Sequence, residues 1–127
     1  MERGGPTLAP GPSDISMQFI DVRDLVEFIV DGAEKKLSGP YNMTSERGHM
    51  FYGGFLETMN QTAGNKAELC WLEPERFKTS GVEYWTELPN SIAPGRGVIC
   101  QADTKKAVGK GLKIRPAVET ITDTWRG

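Results

Sequence analysis

The chain has 127 residues, enough for one domain with a modest core. Fifteen Lys+Arg against 17 Asp+Glu give a formal net charge of −2, and 38% hydrophobic with 25% charged residues is the balance of an ordinary globular protein. This composition excludes a continuous basic face for nucleic acid, and no apolar run approaches the roughly 20 residues that cross a bilayer.

Residues 1–14 hold a Gly/Pro-rich stretch, Arg3 to Asp14, that predicts a loop or extended tail and not a central strand. Such a loop is an unusual opening and suits a segment drawn from a longer protein. Met1–Gly5 carries no hydrophobic secretory segment, so a cytoplasmic location is expected. Ile15 to Ile20 reads as a strand, and residues 15–127 as a single α/β domain. A helix follows, capped by Asp21 or Asp24, with Asp24 and Glu27 at capping-box spacing. Leu25, Phe28, Ile29, Ala33 and Leu37 form its apolar face; Lys35 and Lys36 suit its negative end, and Gly39 and Pro40 stop it.

Tyr41–Thr44 is a brief strand candidate. A second helix is expected over 50–63, where Gly53 and Gly54 imply close packing against a neighbour. Ala67 to Leu72 is apolar enough for a strand buried on both faces. Pro74 opens a short helix through Lys78, closed by Gly81. Residues 82–102 are irregular, with Val98–Cys100 a possible strand. Asp103 caps a helix to about Lys110, and Pro116 starts a last one in which Val118, Ile121 and Trp125 share a face. Cys70 and Cys100 lack metal-ligand spacing and read as reduced core residues, and a single histidine, His49, excludes a His-rich zinc site. The basic cluster Lys105, Lys106, Lys110, Lys113 and Arg115 suits either a phosphate or solvated helix ends. Alternating strands and helices predict an α/β fold, a small mixed or parallel sheet with flanking helices.

Several short patterns occur in a definite order. They are Pro10-Gly11-Pro12-Ser13-Asp14, Val22-Arg23-Asp24, Gly39-Pro40-Tyr41-Asn42, then Asp103 with Lys106-Ala107, Gly111 to Pro116, and a closing Asp123-Thr124-Trp125. As an ordered set, over about residues 4–125, they resemble the C-terminal, substrate-side part of an extended short-chain dehydrogenase/reductase of the NAD-dependent epimerase/dehydratase-like kind. Glu83 to Pro89 resembles a reductase-like subgroup. The resemblance implies the C-terminal part of a Rossmann-type reductase. Its missing N-terminal nucleotide-binding domain would be the partner, and its NAD(P) would be bound by that domain. Hydride transfer needs a Gly-rich loop against the pyrophosphate and a tyrosine made acidic by a lysine. Neither motif is present: none of Tyr41, Tyr52 and Tyr84 has a lysine four positions on. No catalytic, cofactor-binding or metal-binding residue is therefore assigned in this chain.

The resemblance makes Gln18, Tyr84, Trp85, Glu87 and Leu88 the candidate substrate-binding residues for a small-molecule substrate. From the residues alone, Trp85 and Leu88 read first as packing beneath a long loop. Glu87 either pairs with a nearby cation or accepts from a substrate hydroxyl. Asp21, Arg23 and Asp24 read as capping with a local charge pair, and His49 as a helix cap or a pocket residue. Two functional readings stand: an inactive substrate-binding part of a reductase, or a freestanding small α/β binding or interaction domain. A weaker third is an independent enzyme using Glu87 and His49 as acid and base. The fragment reading also implies exposed strand edges at Met17–Ile20 or Tyr41–Thr44, and a homodimer formed through them.

Overall fold

The computed structural model describes residues 1–79, 81 and 100–127. It is a mixed α/β fold with a small parallel two-stranded sheet and helices. In chain order the elements are β1 (Gly5–Pro10), β2 (Ser16–Met17), α1 (Val22–Glu34), β3 (Met50–Phe51), α2 (Tyr52–Thr62), β4 (Ala67–Leu72), α3 (Pro74–Lys78), α4 (Lys105–Val108) and α5 (Ala117–Arg126). Among the described residues, no helix is long and apolar enough to cross a membrane.

The first departure from expectation is β1, which lies inside the segment expected to be a loop. It pairs in parallel with β4, Gly5 opposite Ala67 and Pro10 opposite Leu72. The prolines are tolerated because of their parity. Gly5 and Gly11 donate their N–H groups to the carbonyls of Lys66 and Leu72, at 3.1 and 2.9 Å. Pro6 and Pro10 fall at alternate positions, so their N–H-less nitrogens face the open edge, where no donor is needed. β4 is not covered on both faces: Leu8 is 44% and Trp71 41% exposed, and Cys70 is exposed where a core residue was expected. Neither Cys70 nor the buried Cys100 forms a disulfide.

The edges expected to be open are occupied instead. Met17 is buried and pairs antiparallel with Met50. Beyond it Phe19 accepts from the Ser45 N–H at 3.1 Å. Tyr41–Thr44 is not a strand: Tyr41 lies edge-on to Phe28, and Lys106 Nζ sits 4.2 Å from its ring centre. Among the described residues, the β1–β4 pair has no further strand beside it.

α1 is capped by Asp21, whose carboxylate accepts from the Arg23 N–H, while Asp24 turns away to another partner. The helix stops earlier than expected. Leu37 N–H returns to the Gly32 carbonyl at 2.8 Å and Lys36 N–H to Ala33 at 3.1 Å, the pairing of a Schellman cap. Lys36, not Gly39, takes the left-handed cap position, with φ 51°. Phe28 on the inner face joins Ala107 and Leu112 in a small core, against which Ile20, Leu37, Tyr41, Met43 and Ile114 pack. Asn60 fastens the end of α2 to the start of β4, accepting from the Ala67 N–H and donating to the Ala67 carbonyl.

No side chain caps α2. Its first N–H groups are met by backbone: Tyr52 donates to Ile15 and Gly53 to Ser13, at 2.9 and 2.7 Å. This close approach explains one of the two glycines. A Cβ on Gly53 would lie 3.0 Å from the Ser13 Cβ and 3.2 Å from its carbonyl oxygen, whereas Gly54 faces open space. Gly54→Ala is therefore expected to raise stability by about 1 kcal/mol through helix propensity. Gly53→Ala should lower it by about 1 kcal/mol or more through overpacking. Urea midpoints of the two variants check the contrast, and equal shifts would remove the packing argument.

Candidate functional site

Three chain segments that are remote in sequence are stitched together by one side chain. Gln18 Nε2 donates to the carbonyls of Ser45 and Ala102, at 2.9 and 3.0 Å, and its Oε1 accepts from the Ala102 N–H at 2.8 Å. Ser45 has no exposure and reinforces the join, its Oγ accepting from the Phe19 N–H at 3.2 Å. Around this seam Asn42 Nδ2 donates to the Asp103 carbonyl, Arg47 Nη2 to the Gln101 carbonyl, and the Gly48 N–H to Ser16 Oγ, each at 2.9 Å. The polar loop 46–49, which has neither helical nor strand periodicity, is thereby held in place, with Gly48 at φ 76° supplying its turn.

A furrow runs between this loop and the segment that carries α4. One compartment, of about 400 Å³, is lined by Glu46, Arg47 and Ala102 to Lys105. A second, also about 400 Å³, shares Glu46 and Arg47 and adds Gly48, His49, Val108, Leu112 and Ile114. A smaller space of about 240 Å³ lies between Arg47, Ile15, Ser16, Cys100 and Gln101. Arg47 therefore borders all three.

His49 stands edge-on to Phe19 at 5.6 Å, and Phe19 in turn meets Phe55 at 6.2 Å. Burial against these apolar groups pushes the imidazole pKa below its ordinary value, so it is neutral at neutral pH. It does not cap α2, whose cap position is Phe51. Among the described residues its ring nitrogens meet no carboxylate, so no acid–base dyad is assembled there, and no cluster of His, Cys, Asp and Glu is placed to hold a metal. Thr104 is 4% exposed and its hydroxyl has no hydrogen-bond partner among the described residues. Asp103 makes the local cap instead, accepting from the Lys105 N–H at 3.0 Å.

A separate constellation joins three of the ordered sequence patterns. Asp24, 6% exposed, accepts from the Arg115 N–H, Nε and Nη2 at 2.9, 2.9 and 2.7 Å. Asp21 accepts from Arg23 N–H, Nε and Nη2, and Arg23 Nη1 reaches Asp123 at 2.8 Å. The Arg23 hydrogen bonds hold Asp21 well below the usual carboxylate range, and those of Arg115 lower Asp24. Both carboxylates are ionised and fully engaged, which makes this a clamp between the start of α1 and the turn before α5. The local pairing of Asp21 with Arg23 was expected; the long-range pairing of Asp24 with Arg115 was not.

Of the sequence candidates, Gln18 lies behind the furrow as its strut, with both N–H groups committed. Tyr84, Trp85, Glu87 and Leu88 lie outside the described residues. The basic cluster does not converge on one point: Lys106 donates to the Pro40 carbonyl, Lys113 pairs with Glu27, and Arg115 joins the clamp, leaving Lys105 on the furrow and Lys110 exposed away from it. Arg47, Thr104 and the Val108–Leu112–Ile114 wall were missed. For Arg47 the one sequence signal is the polar, aperiodic Ser45–His49 loop. The chain has no match among protein-family models, curated proteins or solved structures.

Proposed function

We propose that this chain is the substrate-side portion of an NAD(P)-dependent reductase- or epimerase-like enzyme with a Rossmann-type sheet. A nucleotide-binding portion would complete that sheet and carry the Gly-rich loop and the Tyr/Lys pair. The observation that supports this most is the β1–β4 pair. Parallel strands are stable when helices or further strands cover both faces, yet this two-stranded sheet leaves Leu8 and Trp71 in solvent. A completing portion that extended the sheet with parallel strands and laid its crossover helices over both faces would bury them, and the furrow at Arg47 would then hold a substrate for hydride delivered from the other portion. Within this reading the chain alone positions a ligand and performs no redox step.

The test is a titration of NAD(H) and NADP(H) into the chain, followed by backbone amide shifts. No saturable shift is expected, because the cofactor cradle belongs to the other portion. A saturable shift clustered on one site would overturn the division of labour. A freestanding binding domain is the second reading, favoured by a furrow that described residues of this chain line on both sides.

A further inference from the structure

We propose that the furrow bordered by Arg47 binds a small zwitterion with an apolar tail, chemically an aliphatic α-amino acid. This goes beyond the reductase reading and does not depend on it, since every residue invoked is present here.

The charge balance selects the head group. Among the described residues, Arg47 and Lys105 line one compartment together with Glu46 and Asp103, two cations against two anions. Arg47 spends one N–H on the Gln101 carbonyl, and Asp103 one oxygen on the Lys105 N–H. The Lys105 ammonium and the Glu46 carboxylate have no side-chain partner among the described residues. A simple anion entering this space gains two cations but meets two carboxylates, and a simple cation meets the reverse. A ligand bearing both signs pairs with each, which is how electrostatic complementarity sets specificity. The Thr104 hydroxyl, buried and unpartnered, supplies a polar contact that a bound carboxylate or ammonium group would satisfy.

The second compartment selects the tail. Val108, Leu112 and Ile114 line it together with His49, whose neutral ring adds no charge to oppose an alkyl group. Glu46 and Arg47 border both compartments, so head and tail sites adjoin. Each space is within the range of about 300–1,000 Å³ typical of small-molecule clefts.

The experiment is a titration of L-leucine, 4-methylpentanoate and 3-methylbutylamine into the 127-residue chain, followed by backbone amide shifts. At about 10 mM, tenfold above a Kd of ~1 mM, leucine should shift residues 46–49 and 102–114 saturably. Loss of either charged group should weaken binding about tenfold, as expected for a charge-assisted contact. Arg47→Gln, an exposed position outside the core, should weaken leucine by a similar factor with its far-ultraviolet spectrum unchanged. Thr104→Val should weaken it less. No saturable shift with leucine, shifts confined elsewhere, or equal binding of 4-methylpentanoate or 3-methylbutylamine would overturn the proposal.

Discussion

Replacing Gln18 with leucine, close in volume, is expected to lower stability by about 3 kcal/mol. The substitution leaves three backbone groups without their partner: the Ser45 carbonyl, the Ala102 carbonyl and the Ala102 N–H. Each is only partly buried, so each should cost about 1 kcal/mol, the low end for an unmade hydrogen bond. Gln18→Glu should fare no better, because it keeps an acceptor for the Ala102 N–H but turns an anionic oxygen toward two carbonyls. Urea midpoints measure the loss, and exchange of the Ala102 amide should accelerate more than that of Phe28 in α1. Unchanged stability in both variants would show that the carboxamide is dispensable to the fold and free to meet a ligand.

What was legible in the sequence follows the range of the forces involved. α1, α2, β4 and α5 are legible because helical periodicity, the apolar run of β4, Gly64 after α2 and Pro116 before α5 act within a few residues. β1 was read as loop because composition penalises proline without regard to parity, and parity matters only once β4 fixes which side faces a partner. The early stop of α1 had a similar cause: Lys36 accepts a left-handed conformation because two cap hydrogen bonds and the packed Leu37 hold it there. The furrow was the least legible part. Arg47 and Thr104 are ordinary residues in aperiodic segments, and they acquire a common site only through the Gln18 stitch, which spans 84 positions to Ala102. Gln18 is a ligand-contact candidate from the sequence, and in the fold its carboxamide bonds to the backbone of Ser45 and Ala102. Nor does sequence spacing announce that Asp24 and Arg115 will meet, 91 positions apart.

That long-range clamp should dominate the response to acid. Asp24→Ala is expected to cost about 2 kcal/mol. This is below the roughly 3–5 kcal/mol for breaking a fully buried pair, because Arg115 at 20% side-chain exposure can turn part of its charge to water. Asp24→Asn should cost less, since its amide oxygen still accepts from Arg115. The pH dependence separates the clamp from the furrow. Asp21 and Asp24 both have folded pKa values depressed below the ordinary carboxylate value of about 3.9. Their contribution is complete above that value and is lost as pH falls through the folded values. His49 is also depressed, so the unfolded chain takes up its proton first, and stability declines as pH drops below about 6.5. A plot of unfolding free energy against pH should therefore be level near neutrality, slope gently below about pH 6.5, and steepen below about pH 4. His49→Gln should remove the gentle slope alone, and Asp24→Ala should remove part of the steep one alone. If Asp24→Ala left the steep phase intact, the acid sensitivity would have to come from Asp21 or other carboxylates, and the Asp24–Arg115 pair would be of little energetic consequence.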